Sequence, residues 1–134
     1  VTGLVSQRLV RILCQNCCLT IAEDELSYGL LARLEKAEIP VESLRKRNPQ
    51  GCQQCGTGNG YSGRTSVAEI IIPDDGFMEL VMQNNKPAAE RYWLTKLGGR
   101  NMIEQMIELT RLGRVDPHDA ERIVGPLVPP KRDE

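Results

Sequence analysis

The stretch "GCQQCGTGNGYSGRTSVAEIII", Gly51 to Ile72, decides the fold. It joins a Cys-x2-Cys pair to a glycine-rich turn, and the turn to a run of β-branched and apolar residues. Gly56, Gly58, Gly60 and Gly63 permit tight turns with positive φ. Arg64–Ile72 then reads as a mostly buried strand, stopped by Pro73-Asp74-Asp75. Far upstream, "LCQNCC" (Leu13–Cys18) ends a second apolar run. Two cysteine knuckles therefore stand at the feet of two strand-like segments, Val10–Cys14 and Arg64–Ile72, with a helix-length insert between them.

Cys14, Cys17, Cys52 and Cys55 offer four soft thiolates, the donor set of a closed structural zinc site. A two-residue gap lets both sulfurs of a knuckle face one ion while the backbone turns around it. No signal peptide opens the chain, so reduced thiols around a metal are expected rather than disulfides. The chain has five cysteines, and the spare one leaves a choice. Cys18 competes with Cys17, since three-residue gaps also occur among zinc ligands; Cys17 is preferred because it repeats the downstream gap. Rubredoxin-like iron stays open beside zinc. Four protein thiolates leave no open coordination position, so catalytic zinc is not expected.

The energetics allow such an arrangement. If Val10–Cys14 pairs with Arg64–Ile72, about fifty residues replace a short hairpin turn, a lengthening that costs about 2 kcal/mol in closure entropy. Structural zinc is worth roughly 10–16 kcal/mol in small peptides. A metal at the neck therefore more than offsets the insertion and keeps the two strand ends together.

Periodicity organises the rest. Leu4, Val5, Leu9 and Ile12–Leu13 fit a short helix running into the first extended segment. Within the insert, Thr20 and Glu23 match a capping box, and Leu26, Leu30, Leu34 and Ala37 form the core stripe of an amphipathic helix that Pro40 ends. A helix is expected from Asp75 to about Asn84, with Phe77, Leu80 and Val81 on one face. Another has Pro87 in its first turn and ends at Gly98-Gly99. Ile103, Met106, Ile107 and Leu109 line a third that stops at Gly113, and Asp116-Pro117 starts a last one reaching about Val124. The expected organisation is a helix and strand over 1–13, a tetracysteine insert over 14–55, and a glycine turn with strand over 56–74. A helical region over 75–125 and a flexible tail over 126–134 complete it.

Composition excludes several functions. The net charge is −1, with one Phe, one Trp and three Tyr, so neither an electrostatic footprint for nucleic acid nor a base-stacking platform is present. The only basic run, Arg45-Lys46-Arg47, reads as a solvated turn. No apolar run is long enough to span a membrane. Glu69 is a lone carboxylate, His118 the only histidine, and Ser66 has no His-Asp partner nearby; none of them makes a catalytic constellation.

With these residues in place, the chain resembles the hexameric ATPases that drive type II secretion and type IV pilus assembly. The resemblance lies in "QRLVRILCQNC" (Gln7–Cys17), "GCQQCGTGNGYSGRTSVAEII" (Gly51–Ile71) and "GGRNMIEQMIELTRLGRVDPHDAERIV" (Gly98–Val124). It departs from that family in three places. The turn after Cys55 is one residue longer, Gln105-Met106 replace a common Asp-Gly, and Cys17-Cys18 double a single cysteine.

The resemblance implies a mostly helical α+β fold: the C-terminal part of a RecA-like ATPase domain, an inserted four-cysteine zinc subdomain and a C-terminal helical bundle. It implies ATP and magnesium in a larger parent protein, which forms a hexameric ring. That parent would be cytoplasmic, held at the bacterial inner membrane by platform or anchoring proteins. Arg64 matches an arginine that lies close to the nucleotide in this family, and Arg8 is a candidate for a nucleotide or subunit-interface role, against solvated arginines as the plainer reading of both. No Gly-x4-Gly-Lys-[Ser/Thr] phosphate loop occurs here, so hydrolysis by this chain alone is not expected. The competing reading is a stand-alone zinc-ribbon module that binds protein or nucleic acid. A chaperone-type cysteine-rich domain does not fit: there are two knuckles rather than four, and the glycines fall one position late.

Overall fold

In the computed structural model, residues 3–56 and 59–132 are described; Gly58 of the expected turn and the ends of the first and last expected segments lie outside them. The frame is an antiparallel ribbon of β1 (Leu4–Leu13) and β4 (Tyr61–Ile71), in register from Leu4↔Ile71 through Arg11↔Arg64 to Leu13↔Tyr61, with one irregularity between Arg11 and Leu13. The helix expected before Val10 does not form, because Leu4 to Leu13 is one continuous strand. Leu4, Val5, Leu9 and Ile12 satisfy helical spacing, but ladder bonds along the whole of β4 outweigh what a single short helix gains from its own hydrogen bonds.

The insert follows β1. A small ribbon of β2 (Leu19–Thr20) and β3 (Arg45–Lys46) closes it, and α1 (Tyr28–Lys36) fills it. The start of α1 lies later than the Thr20/Glu23 pattern suggests. Thr20 pairs with Arg45 in the small ribbon, Glu25 reaches back to the Ala22 N–H, and the Ser27 hydroxyl accepts from the Leu30 N–H at 3.2 Å to cap the helix. The stripe itself holds: Leu26, Leu30, Leu34 and Ala37 are all buried.

Four helices follow β4: α2 (Asp75–Met82), α3 (Lys86–Thr95), α4 (Met102–Arg111) and α5 (Pro117–Val124). Their starts follow local chemistry. Asp74, Asn85, Asn101 and Asp116 each accept a backbone N–H at an N-terminus, and Pro87 and Pro117 stand in first turns where a missing N–H costs nothing.

The molecule is a small α+β domain with one main core and one satellite. The main core joins Val10 and Val67 of the ribbon, Leu30 and Leu34 of the insert, and Met106, Ile107, Ala120 and Leu127. The insert is therefore not a separate globule, because its apolar stripe is buried by α4, α5 and the segment after them. The satellite gathers Phe77, Ala89, Trp93 and Leu94. Residues 126–132, where composition suggests a loose tail, are anchored instead. Leu127 is fully buried, and Arg132 binds Glu104 and the carbonyls of Leu94 and Gly99.

Burial of β4 is lower than its composition suggests. Val67 is its one fully buried residue, while Ile70 is 58% exposed. On the second face of the ribbon Val5 and Leu9 lie open. No helix among them is long and apolar enough to cross a membrane.

Candidate metal centre

Both knuckles sit at the closed end of the ribbon, where Leu13 pairs with Tyr61. The Cys14 N–H donates to the Gly60 carbonyl at 2.7 Å, tying the first knuckle to the strand that follows the second. Each knuckle is a tight turn: the Cys18 N–H donates to the Cys14 carbonyl, and the Gly56 N–H to the Cys52 carbonyl. Two glycines leave little room for a side chain, Gly51 tightly and Gly60 by a backbone clash. A Cβ at Gly51, where φ is +66°, would stand 3.3 Å from the Cys55 Sγ, and one at Gly60, where φ is +96°, would strike the Asn48 carbonyl at 2.4 Å.

The result is a cluster of four sulfurs. Those of Cys14, Cys17, Cys52 and Cys55 lie within 4.8 Å of one another. Individual separations are 3.7 Å for Cys14–Cys52 and 3.9 Å for both Cys17–Cys55 and Cys52–Cys55. A disulfide needs about 2.05 Å. Four sulfurs each about 2.3 Å from a tetrahedral zinc stand about 3.8 Å from their neighbours. The donor set and spacing thus fit a tetrahedral thiolate site. The clustered sulfurs include that of Cys17 and not that of Cys18.

The surroundings favour negative sulfur unevenly. The Asn16 carboxamide donates to the Cys52 Sγ at 3.3 Å; that bond, with backbone help from Cys55, lowers the Cys52 thiol to about 6. Cys17 is pushed up to about 12, first by partial burial and then by the three neighbouring sulfurs. One thiolate thus discourages the next, a conflict that a divalent cation removes by deprotonating its ligands outright. Asn16 and Gly51 escaped the reading of the sequence, although Asn16 occupies one of the two variable knuckle positions, where a donor to a partner's sulfur is within reach.

The two candidate arginines are not brought together. Arg64 and Arg8 are both exposed. Arg8 stands opposite Val67, on the ribbon face that carries Val10, whereas Arg64 stands opposite Arg11, on the other face. Glu69 is structural: its Oε2 accepts the Met102 N–H at 3.0 Å, at the positive end of α4. His118 is exposed beside Asp116, with 3.2 Å between Nδ1 and Oδ1.

Comparison with known proteins covers nearly the whole chain. The family model described as "Type II/IV secretion system protein" matches residues 1–122. The type IV pilus assembly ATPase PilB of Thermus thermophilus is 37% identical over 103 residues, covering 77% of this chain and 11% of that protein. Type II secretion system protein E of Aeromonas hydrophila is 29% identical over 125 residues, covering 81% of this chain and 23% of its own length. The type IV pilus assembly ATPase TfpB of Acinetobacter baylyi is 28% identical over 123 residues, at 86% and 20%. The chain therefore spans between a tenth and a quarter of the length of these relatives.

Proposed function

Because the chain belongs to the type II/IV secretion system protein family, we propose that it is the zinc-stapled C-terminal region of an ATPase motor for type IV pilus assembly or type II protein secretion. The observation that carries this reading is the four-sulfur cluster at the neck of the β1–β4 ribbon, in a chain colinear with motor proteins.

Bound zinc supplies a fixed tetrahedral anchor and no reactive position. The chain's own residues then have defined tasks. Cys14 and Cys17 hold the end of β1, Cys52 and Cys55 hold the start of β4, and the register that places Arg64 is protected from slipping. Arg64 lends a guanidinium to the surroundings of a nucleotide whose phosphate loop and magnesium lie elsewhere in the whole protein. Arg8, on the opposite face, suits a contact with a neighbouring subunit or domain better than one with the same nucleotide. The ribbon continues a RecA-like sheet, which accounts for its open apolar face. The whole protein acts as a hexameric ring on the cytoplasmic side of the inner membrane, held by platform or anchoring proteins.

The independent zinc-ribbon module is not favoured. The match to the family runs through the ribbon and the helices, not the knuckles alone. Metal analysis after exhaustive dialysis tests the proposal: one zinc per chain is expected, together with no ATP hydrolysis by the chain alone. A folded chain without bound metal would overturn the zinc assignment.

A further inference from the structure

We propose that Cys17 is the reactive sulfur of the metal-loaded neck, the one at which a peroxide-class electrophile enters the cluster, with Asn16 turning attack away from Cys52. This order of reactivity rests on the zinc reading of the four sulfurs and goes beyond it. A thiolate is attacked according to its access to solvent and the freedom of its electron pairs. Cys14 is only 2% exposed, so its sulfur is shut off. Cys17, Cys52 and Cys55 are all half-buried, and access does not rank these three.

Hydrogen bonds do rank them. The Asn16 carboxamide reaches from the first knuckle to the second and donates to Cys52 Sγ at 3.3 Å. The Cys52 N–H donates to Cys55 Sγ at 3.2 Å. A donated N–H holds an electron pair that an incoming electrophile needs, and so lowers the sulfur's nucleophilicity. Among the described residues, no N–H donates to Cys17 Sγ, whose neighbour is the Cys55 sulfur at 3.9 Å. Cys17 is therefore accessible and undamped. With hydrogen peroxide, an electron pair of Cys17 Sγ forms an S–O bond as the O–O bond breaks, and the departing oxygen takes up a proton and leaves as water. The Cys55 thiolate then forms an S–S bond and expels the second oxygen, which also leaves as water after protonation. The two thiolates have together given two electrons to the peroxide. Cys14 and Cys52 alone are too few donors for a closed zinc site, so the ion is released.

The test uses the zinc-loaded chain carrying Cys18→Ser, which removes the one thiol that is not among the clustered four. Substoichiometric iodoacetamide marks the first sulfur to react, because alkylation forms one S–C bond as iodide leaves. Peptide mass mapping should find about tenfold more label on Cys17 than on Cys52. Hydrogen peroxide should release zinc to a chromophoric chelator and yield a Cys17–Cys55 linked peptide. Asn16→Asp keeps the side chain's size and loses its N–H; it should move label onto Cys52 while zinc content and melting temperature stay unchanged, a redistribution that a merely structural role would not produce. Label spread evenly, or found first on Cys52 or Cys55, overturns the role of Cys17 while the zinc reading stands. An unchanged label pattern in Asn16→Asp overturns the role of Asn16. A parent chain that holds no zinc before any reagent is added overturns the zinc reading, and this order of reactivity with it.

Discussion

The carboxamide of Gln105 pairs with both backbone groups of Ala68: its Oε1 accepts the N–H at 3.0 Å and its Nε2 donates to the carbonyl at 2.5 Å. A side chain of α4 thus imitates one residue of a neighbouring strand along the outer edge of β4. Two residues on, the Trp93 indole donates to the Ile70 carbonyl at 3.1 Å. At Ala68 and Ile70 this edge is closed to further strands, a common protection for an exposed ladder, whereas among the described residues β1 has a ladder partner only in β4. Gln105 stands where the resembled family commonly carries Asp, which is shorter and has no donor. Gln105→Ala should cost about 1–3 kcal/mol, the price of leaving partly buried backbone groups unpaired, and Gln105→Glu should lose the donated bond as well. Urea denaturation of both variants checks this; an unchanged midpoint would show that water replaces the carboxamide.

The sulfur cluster predicts different outcomes for neighbouring cysteines. Cys52→Ser removes a donor from the set of four and should abolish tight zinc retention. A loss of about 3 kcal/mol or more should lower the melting temperature by about 10 °C. Cys18→Ser should keep one zinc per chain and melt within about 2 °C of the parent, because Cys18 lies outside the cluster. Metal content and thermal melting of the two proteins decide the matter. Equal zinc loss in both would mean that Cys18 takes part after all.

How much of this was legible in the sequence depended on how local each cause is. Thiol spacing brought the four sulfurs into one hypothesis because each knuckle is a five-residue turn. The starts of α2, α3 and α5 were legible because Asp74, Pro87 and Asp116-Pro117 act on their own first turns. Leu4 to Leu13 was not, since Leu4, Val5 and Leu9 satisfy a helical stripe and a strand face equally; the partner strand that decides, Tyr61–Ile71, lies beyond the whole insert. The shared core was hidden too, because no periodicity says that Leu34 of the insert will meet Met106 of α4.

The insert is also held electrostatically. Arg33 on α1 grips Glu121 on α5 with Nε and Nη2, both bonds at 2.7 Å, and the Leu127 N–H adds a third at 2.8 Å. Burial alone would raise the Glu121 carboxyl, but the Arg33 and Leu127 hydrogen bonds outweigh it and hold the group below its ordinary value of 4.5. A carboxylate depressed in the folded state contributes stability that is complete above the unfolded value and is lost as pH falls through the folded one. Melting temperature should therefore decline below about pH 4.5, and Glu121→Gln should flatten that part of the decline. Arg33→Gln should cost about 1–3 kcal/mol at neutral pH, having removed a charged donor from a partly buried carboxylate. If the pH profiles of the parent and Glu121→Gln coincide after scaling, other carboxylates govern acid unfolding.

The C-terminal segment provides the last prediction. Arg132 donates to the carbonyls of Leu94 and Gly99 at 2.7 and 3.0 Å while its guanidinium also binds Glu104. Glu104 is already committed, since it completes the capping box of α4 by accepting the Asn101 N–H at 3.1 Å. Arg132 thus joins the end of α3, the start of α4 and the chain's last described segment. Side-chain exposures of 39% for Arg132 and 21% for Glu104 leave water access, so Arg132→Ala should cost about 1 kcal/mol, as expected for a partly solvated pair. Deleting residues 126–134 should cost more, about 3 kcal/mol or above, because it also removes Leu127 from the main core and opens a cavity beside Ala120 and Met106. Hydrogen exchange separates the two effects. Arg132→Ala should speed exchange only at the α3–α4 junction, whereas the deletion should expose amides of α4 and α5. Uniform protection in the deletion protein would mean that the segment rests on the domain without supporting it.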